Sequence, residues 1–390
     1  YTGRSLVDNS PIPPSVVVSE LLDCLDNGYQ DENGSINELI LIQHPLHPFS
    51  RDYFQDHPEL FSYSRENYLG AKNPLKNQPL SVFASEQLPA AKSGQRELDI
   101  RDLSKFLKDP VRYFCQDRLK IYPDTQEEDI REAEPLEGIY GLEEYQVKQF
   151  LLDFKQKWSA EEAKDVLQSM GRIPPGSFGD IVHDQTFAET ENIWQTVIRI
   201  RDGVPKFHSR NLSVQIQGIH LTGQINTLAN NDLLSFRPGK IKAKDLLGIW
   251  TELLFICCSP DTNSQEAIAT LVGSEQAIRI TPPEDPRTHL QYLLEVMQHG
   301  LTTVIPFFAS TAEIYAREIL DKEKNEQDAL KSAKKDWKGN WHQPGVRDDP
   351  YVKLCFGREL PEIPYQDRFA ELALQIFRPV IRGQSTEVSG

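Results

Sequence analysis

Cysteine, methionine and positive charge are all in short supply in this sequence. Its 390 residues include five cysteines, Cys24, Cys115, Cys257, Cys258 and Cys355, an odd number with no CxxC pair. That pattern argues against a disulfide framework or a thiolate-held zinc and predicts reduced, mostly buried thiols in a cytoplasmic protein. No stretch approaches the roughly 20 apolar residues of a membrane helix, and no signal peptide opens the chain. A net charge of −16 excludes a protein that coats nucleic acid over its whole surface, so any such contact must be a local patch on an acidic body. His44, His47 and His57 stand close in sequence but lack a cysteine or a converging acid, and they predict no metal site.

What is present suffices for a large core. Hydrophobic residues make up 39% of the chain, and the length suits two domains, or one large domain with an extension. A chain opening at Tyr1 reads as a fragment of something longer. Ser15 is a credible N-cap for a helix carrying Val16–Val18 and Leu21–Leu22. Residues 28–37 read as a loop. Pro45 and Pro48 then deny regular structure to residues 42–54. The Pro-, Lys-, Asn- and Ser-rich stretch at 70–96 marks a domain boundary, giving segments 1–96 and 97–390.

Past that boundary, Leu98, Ile100, Leu103, Phe106 and Leu107 recur at helical spacing, and Asp109-Pro110 opens a second helix. The acid-rich residues 124–137 read as a solvated loop. Helices are expected over 142–158 and 160–170, and a long one from Gly176 towards Ile198. The stretch from Gly218 to Cys258 organises the rest. Ile219–Leu228 alternates as a half-buried strand does, and Asn230-Asn231 or Asn231-Asp232 suits a tight turn. Leu233–Phe236 is a short second strand, and Leu246–Ile256 is a buried helix. A hairpin around Gly273-Ser274, helices at about 285–299 and 311–338, and a last helix near 366–377 complete an α/β or α+β sandwich.

Several of these residues carry a resemblance. Asp109-Pro110-Val111-Arg112-Tyr113-Phe114, the Gly-led helix from Gly176, Gly223-Gln224-Ile225-Asn226 and Ser235-Phe236-Arg237 resemble the motifs of the RecB-like branch of the PD-(D/E)xK nuclease family. That likeness implies a mixed sheet flanked by helices. It also implies a degenerate site. Asp180 takes the place of the metal-binding His, Asn226 that of the strand Asp, and Ser235 and Arg237 those of the Asp and Lys. Mg²⁺ wants charged oxygen ligands, and an arginine is too basic to exchange protons at neutral pH. No bound metal, cofactor or catalytic residue is therefore expected.

Further stretches resemble the family of exodeoxyribonuclease V gamma chains: Tyr1–Ser5 with Asp8–Ser10, His44–Leu46, Tyr63–Glu66, Gly176–Gly179 and Arg237-Pro238 with Leu246–Cys257. This resemblance implies that residues 1–96 end an inactive, mainly helical helicase-like region, and that 97–390 form a nuclease-like C-terminal domain. The implied role is that of a non-catalytic subunit in double-strand break repair by recombination, docking a RecB-like beta chain and a RecD-like alpha chain and guiding strands at a duplex DNA end. Independently, Arg237, Lys240, Lys242 and Lys244 place four cations in eight residues, a candidate phosphate-binding patch. The helical run of Lys331, Lys334, Lys335 and Lys338 beside Trp337 and Trp341 reads better as a solvated face over a core tryptophan than as a base-stacking platform. Two readings from other classes stay open. One is an active Mg²⁺ nuclease whose carboxylates have migrated, with Asp232 or Asp245 standing in. The other is a docking module that never touches DNA.

Overall fold

A computed structural model describes residues 10, 12–31, 34–72, 83, 87–89, 97–123, 138–228, 230–260, 267–341 and 343–388. The Tyr1–Ser5 motif, the acid run at 124–137 and most of the boundary at 70–96 lie outside the described residues. The chain divides into two compact units, Tyr1–Leu80 and Ser81–Gly390.

In the first unit, α1 (Val16–Gly28) begins at Ser15, whose hydroxyl accepts the Val18 N–H at 3.5 Å. The two-residue strands β1 (Gln30–Asp31) and β2 (Gly34–Ser35) pair antiparallel ahead of α2 (Ile36–Ile40), where a loop was expected. A 3-10 turn (Arg51–Phe54) and α3 (Arg65–Lys72) follow. The three histidines of this unit are occupied locally. His44 Nδ1 lies 3.1 Å from the Tyr53 hydroxyl, His47 stacks on Phe49, and His57 Nδ1 accepts the N–H groups of Glu59 and Leu60.

The second unit opens with β3 (Glu97–Asp99), α4 (Ile100–Lys108) and α5 (Pro110–Tyr113), which runs on as a π-turn over Phe114–Arg118. Asp109 caps α5 by accepting the Arg112 N–H, with Pro110 at the first helical position, where a missing N–H costs nothing. Then come α6 (Leu142–Asp153), α7 (Ala160–Ser169) and the 26-residue α8 (Gly176–Arg201). The strands and buried helix follow as β4 (His208–Ile216), β5 (Ile219–Thr227), β6 (Leu233–Phe236) and α9 (Ala243–Cys258). After them lie β7 (Ala269–Val272), β8 (Gln276–Ile280), α10 (Pro286–Gly300), α11 (Ala309–Leu320), α12 (Glu326–Lys338), a 3-10 turn (Val346–Asp348), α13 (Pro350–Phe356), α14 (Gln366–Arg382) and β9 (Gln384–Val388).

The strands form two mixed sheets. One has the order β3-β5-β4, with β3 parallel and β4 antiparallel to β5; the other has the order β6-β7-β8-β9. Gln217 and Gly218, both at positive φ, join Ile216 to Ile219 in a two-residue turn, the geometry that suits the twist of a hairpin. The inward faces of β4 and β5 (Leu212, Val214, Ile216, Leu221 and Ile225) join one core with α4, α9, α10, α11 and α14. Gly223 lies between Leu221 and Ile225 on that face. A Cβ there would fall 2.4 Å from Ile100 Cγ2, so only glycine lets α4 seat on the strand.

The second sheet is covered on both faces. Leu233, Leu271 and Ile278 belong to the core around α9, while Leu234, Val272 and Ala277 pack on Ile193, Trp194 and Val197 of α8. This layering explains why α9 is apolar nearly all round. The mixed α/β class is as expected, but several elements differ. The expected helix at 311–338 is two, interrupted where Glu323 takes positive φ and Asn325 caps α12. Strands β3, β4 and β9 were not anticipated. Residues 233–236 also do not pair with β5: the Asn231 turn (φ 67°) carries the chain from one sheet into the other.

Candidate nucleic-acid interface

The residues expected at a degenerate nuclease centre each have local surroundings of their own. Asp180, on the second turn of α8, is half exposed and ion-paired to Lys164 of α7. Asn226 points from the solvent face of β5, opposite to the buried Ile225 and Thr227. Ser235 and Arg237 follow Leu233 along the α9 face of β6. Arg237 turns inward, paired to Asp245 of α9 and stacked on the Tyr145 ring at 5.3 Å. Among the described residues no three His, Cys, Asp or Glu side chains stand together to hold a metal ion. Asp232 is buried and fully engaged: it accepts from Arg201 Nη1 at 3.0 Å, Asn230 Nδ2 at 2.7 Å and the Ile268 N–H at 2.8 Å. A carboxylate so occupied braces the turn.

The four expected cations also separate. Lys240 pairs with Glu275 at 2.8 Å on the β7–β8 turn, and Arg237 is spent on Asp245. Lys242 is exposed, and its backbone N–H donates to Asp245 at 2.8 Å. Lys244 reaches a cleft, and there it meets cations that the apolar pattern had hidden. Arg101, Lys105, Lys108 and Arg112 recur at spacings of four, three and four along α4 and α5. They line one wall of a cavity of about 330 Å³, with Lys244, Gln224 and Glu252 opposite. A second cavity, of about 470 Å³, shares Lys108, Asp109 and Lys244 with the first and runs on past Ser310, Asp336 and Asp349. The two make one groove over Lys108 and Lys244.

Most of these cations carry carboxylate partners at the surface. Lys105 pairs with Asp117 at 2.9 Å, Lys244 with Asp109 at 3.0 Å, and Arg112 with Asp349 at 3.1 Å. Solvent-exposed pairs of this kind are worth about 0–1 kcal/mol, so a phosphate can replace the carboxylate at little cost. Lys108 has no ion pair among the described residues. Its stem lies across Gly248, where an added Cβ would meet Cε and Nζ at 2.9 Å. Glu252, one turn further along α9, faces this amine. Burial pushes its carboxyl above the ordinary range, and the charge of Lys108 pulls it partly back.

Trp337 is fully buried against Phe308, and Trp341 is 97% exposed. Lys331 and Lys334 pair with Asp328 and Glu362. That stretch is therefore a solvated face over a core tryptophan, as its spacing suggests. Among the described residues no helix is long and apolar enough to cross a membrane.

The architecture is that of a mixed α/β protein with a cation-lined groove over α4, α5 and the start of α9. Residues 95–320 match the family model described as the RecC C-terminal domain. The chain belongs to that family. It is 24% identical to the RecBCD enzyme subunit RecC of Escherichia coli K12, over 98% of this chain and 35% of that protein. It is 26% identical to the protein of the same name from Mycobacterium tuberculosis H37Rv, over 93% of this chain and 33% of that one, and 26% identical to that of Haemophilus influenzae, over 73% and 25%. The chain thus spans about a third of the length of the curated relatives it matches.

Proposed function

We propose that this chain is a RecC-type region of a helicase–nuclease complex for double-strand break repair. In that role it is a non-catalytic scaffold that docks a RecB-like beta chain and a RecD-like alpha chain and guides DNA strands at the duplex end. The observation that carries the DNA part is the groove, where cations from α4, α5 and the start of α9 converge on a body of net charge −16. Phosphate binding depends on local charge of this kind and is sequence-independent. On this reading the α8–β4–β5–β6–α9–β7 order is a nuclease-like frame that has lost its metal ligands and serves to position the groove. Phe178 and Ile181, exposed one turn apart at the start of α8, suit the docking half of the role.

The test is binding of a forked DNA duplex by the chain, with and without Lys105→Glu and Lys108→Glu together, alongside a cleavage assay in Mg²⁺ and Mn²⁺. Binding that collapses in the double variant, with no cleavage, is the expected result. Binding untouched by the reversal would leave only the docking role. Cleavage abolished by Asp180→Ala or Asp232→Ala would make the chain an enzyme and overturn the scaffold reading.

A further inference from the structure

Cys115 and Cys355 are 240 residues apart in sequence, yet their sulphurs lie 3.4 Å apart. Both side chains are buried, at 0% and 1% exposure. Cys115 sits in the π-turn after α5, and Cys355 in the last turn of α13. The same two segments are tied by Gln116 Nε2 donating to the Tyr351 hydroxyl at 2.5 Å and by Arg112, which pairs with Asp349 and lies over the Tyr351 ring at 5.1 Å. A disulfide needs sulphurs about 2.05 Å apart, so these two stand a little over an ångström beyond bonding distance.

We propose that Cys115 and Cys355 form a peroxide-sensitive cross-link site that fastens α13 to α5 and so holds Arg112 on Asp349, out of reach of phosphate. The cross-link itself stands on the sulphur geometry alone; its effect on DNA rests on the groove reading above. Either thiol can donate across this contact; with Cys355 as donor the Cys115 thiol is held below its ordinary range and Cys355 is pushed up. In that arrangement Cys115 is the attacking sulphur. Its thiolate attacks one oxygen of hydrogen peroxide, the O–O bond breaks, hydroxide leaves, and Cys115 becomes a sulfenic acid. The Cys355 sulphur then gives up its proton and attacks the Cys115 sulphur, the S–O bond breaks, and water leaves. The balance is two thiols and one peroxide to one disulfide and two waters. Asp349, Pro350 and Val352 line the larger of the two groove cavities, which therefore comes within one helical turn of Cys355. Burial pushes Cys257 and Cys258 up to about 12 and about 11, so they stay protonated and slow to react at neutral pH.

The experiment treats the full chain with hydrogen peroxide, quenches, blocks the remaining thiols after unfolding, and maps peptides without reduction. The expected product is one linked peptide pair, Cys115 with Cys355, absent in Cys355→Ser and reversed by dithiothreitol. The reduced melting temperature of that variant should match the parent, which separates loss of the link from loss of the fold. Cys115 carried to sulfinic acid without a link, or both thiols still free for alkylation, would overturn the cross-link. Forked-DNA binding is then compared between oxidised and reduced chain. The oxidised form should show a salt dependence shallower by about 0.9, the worth of one phosphate contact. An equal slope in the two forms would overturn the coupling to Arg112 while the cross-link stood. A reduced chain that fails to bind at all would count against the groove, with the peptide map still deciding the link.

Discussion

Lys108→Met isolates the charge of the groove from its packing. The lysine stem fills the space over Gly248, and methionine supplies a stem of similar length, so the cavity wall survives while the amine is lost. Taking Lys105, Lys108, Arg112 and Lys244 as four phosphate contacts, the slope of log K against log salt is about −3.6, which falls to about −2.7 with three. Between 50 and 200 mM salt the parent should then lose affinity roughly 150-fold and the variant only about 40-fold. The measurement is fluorescence anisotropy on a labelled forked duplex through a salt series, with thermal melts to show that the variant is folded. Lys108 is the groove cation with no carboxylate to displace among the described residues, so its loss should be felt in full. An unchanged slope in a folded variant would refute the reasoning, because a cation that contacts phosphate cannot leave the counterion balance untouched.

Three further outcomes follow from the packing. Asp232→Ala strips Arg201 of its carboxylate and leaves a guanidinium buried whose Nε and Nη2 already lack partners; urea unfolding should show a loss of about 3–5 kcal/mol, and a loss under 1 would sink the brace assigned to this residue. Trp337→Ala should cost about 3–5 kcal/mol and Trp341→Ala under about 0.5, a contrast that thermal melts of the pair resolve. Lys322 and Lys324 hold the Glu318 carboxyl down at about 2. A carboxyl depressed in the folded state stabilises above its unfolded value, near the ordinary 4.5, and that contribution fades as pH falls towards 2. The stability gap between the parent and Glu318→Gln should therefore be widest at neutral pH and close in acid; a gap that widened in acid would reverse the assignment.

How much of this was legible depended on how local each signal was. The Ser15 cap, the helix start at Asp109-Pro110, the Asn231 turn and the hairpin at Gly273 depend on a few neighbouring residues and read correctly. Strand β4 was missed because only its second half alternates, and because Gln217-Gly218 is a weaker hairpin mark than Asn-Gly. Strands β3 and β9 are short edges whose existence depends on partners far along the chain. The proposed groove was not legible for another reason. The apolar period of residues 98–111 masks a second one that runs across α4 and α5, that of Arg101, Lys105, Lys108 and Arg112. The compact basic cluster at 237–244 looked stronger in sequence, but the fold turns Arg237 inward onto Asp245 and seats only part of the cluster beside the cations of α4 and α5. Charge clustered in sequence is a different quantity from charge gathered in space, and only the second meets a phosphate.

The pairing of β8 with β9 sets the order in which this domain can be completed. Residues 276–280 bond to residues 384–388, and α10 to α14 are all made in between. Through that interval on the ribosome, β8 offers a bare row of N–H and C=O groups on one side, its other side already taken by β7. An open edge of this kind recruits foreign strands. Synthesis that stalls within α10–α14 therefore leaves a sheet primed to aggregate, whereas synthesis through β9 seals it.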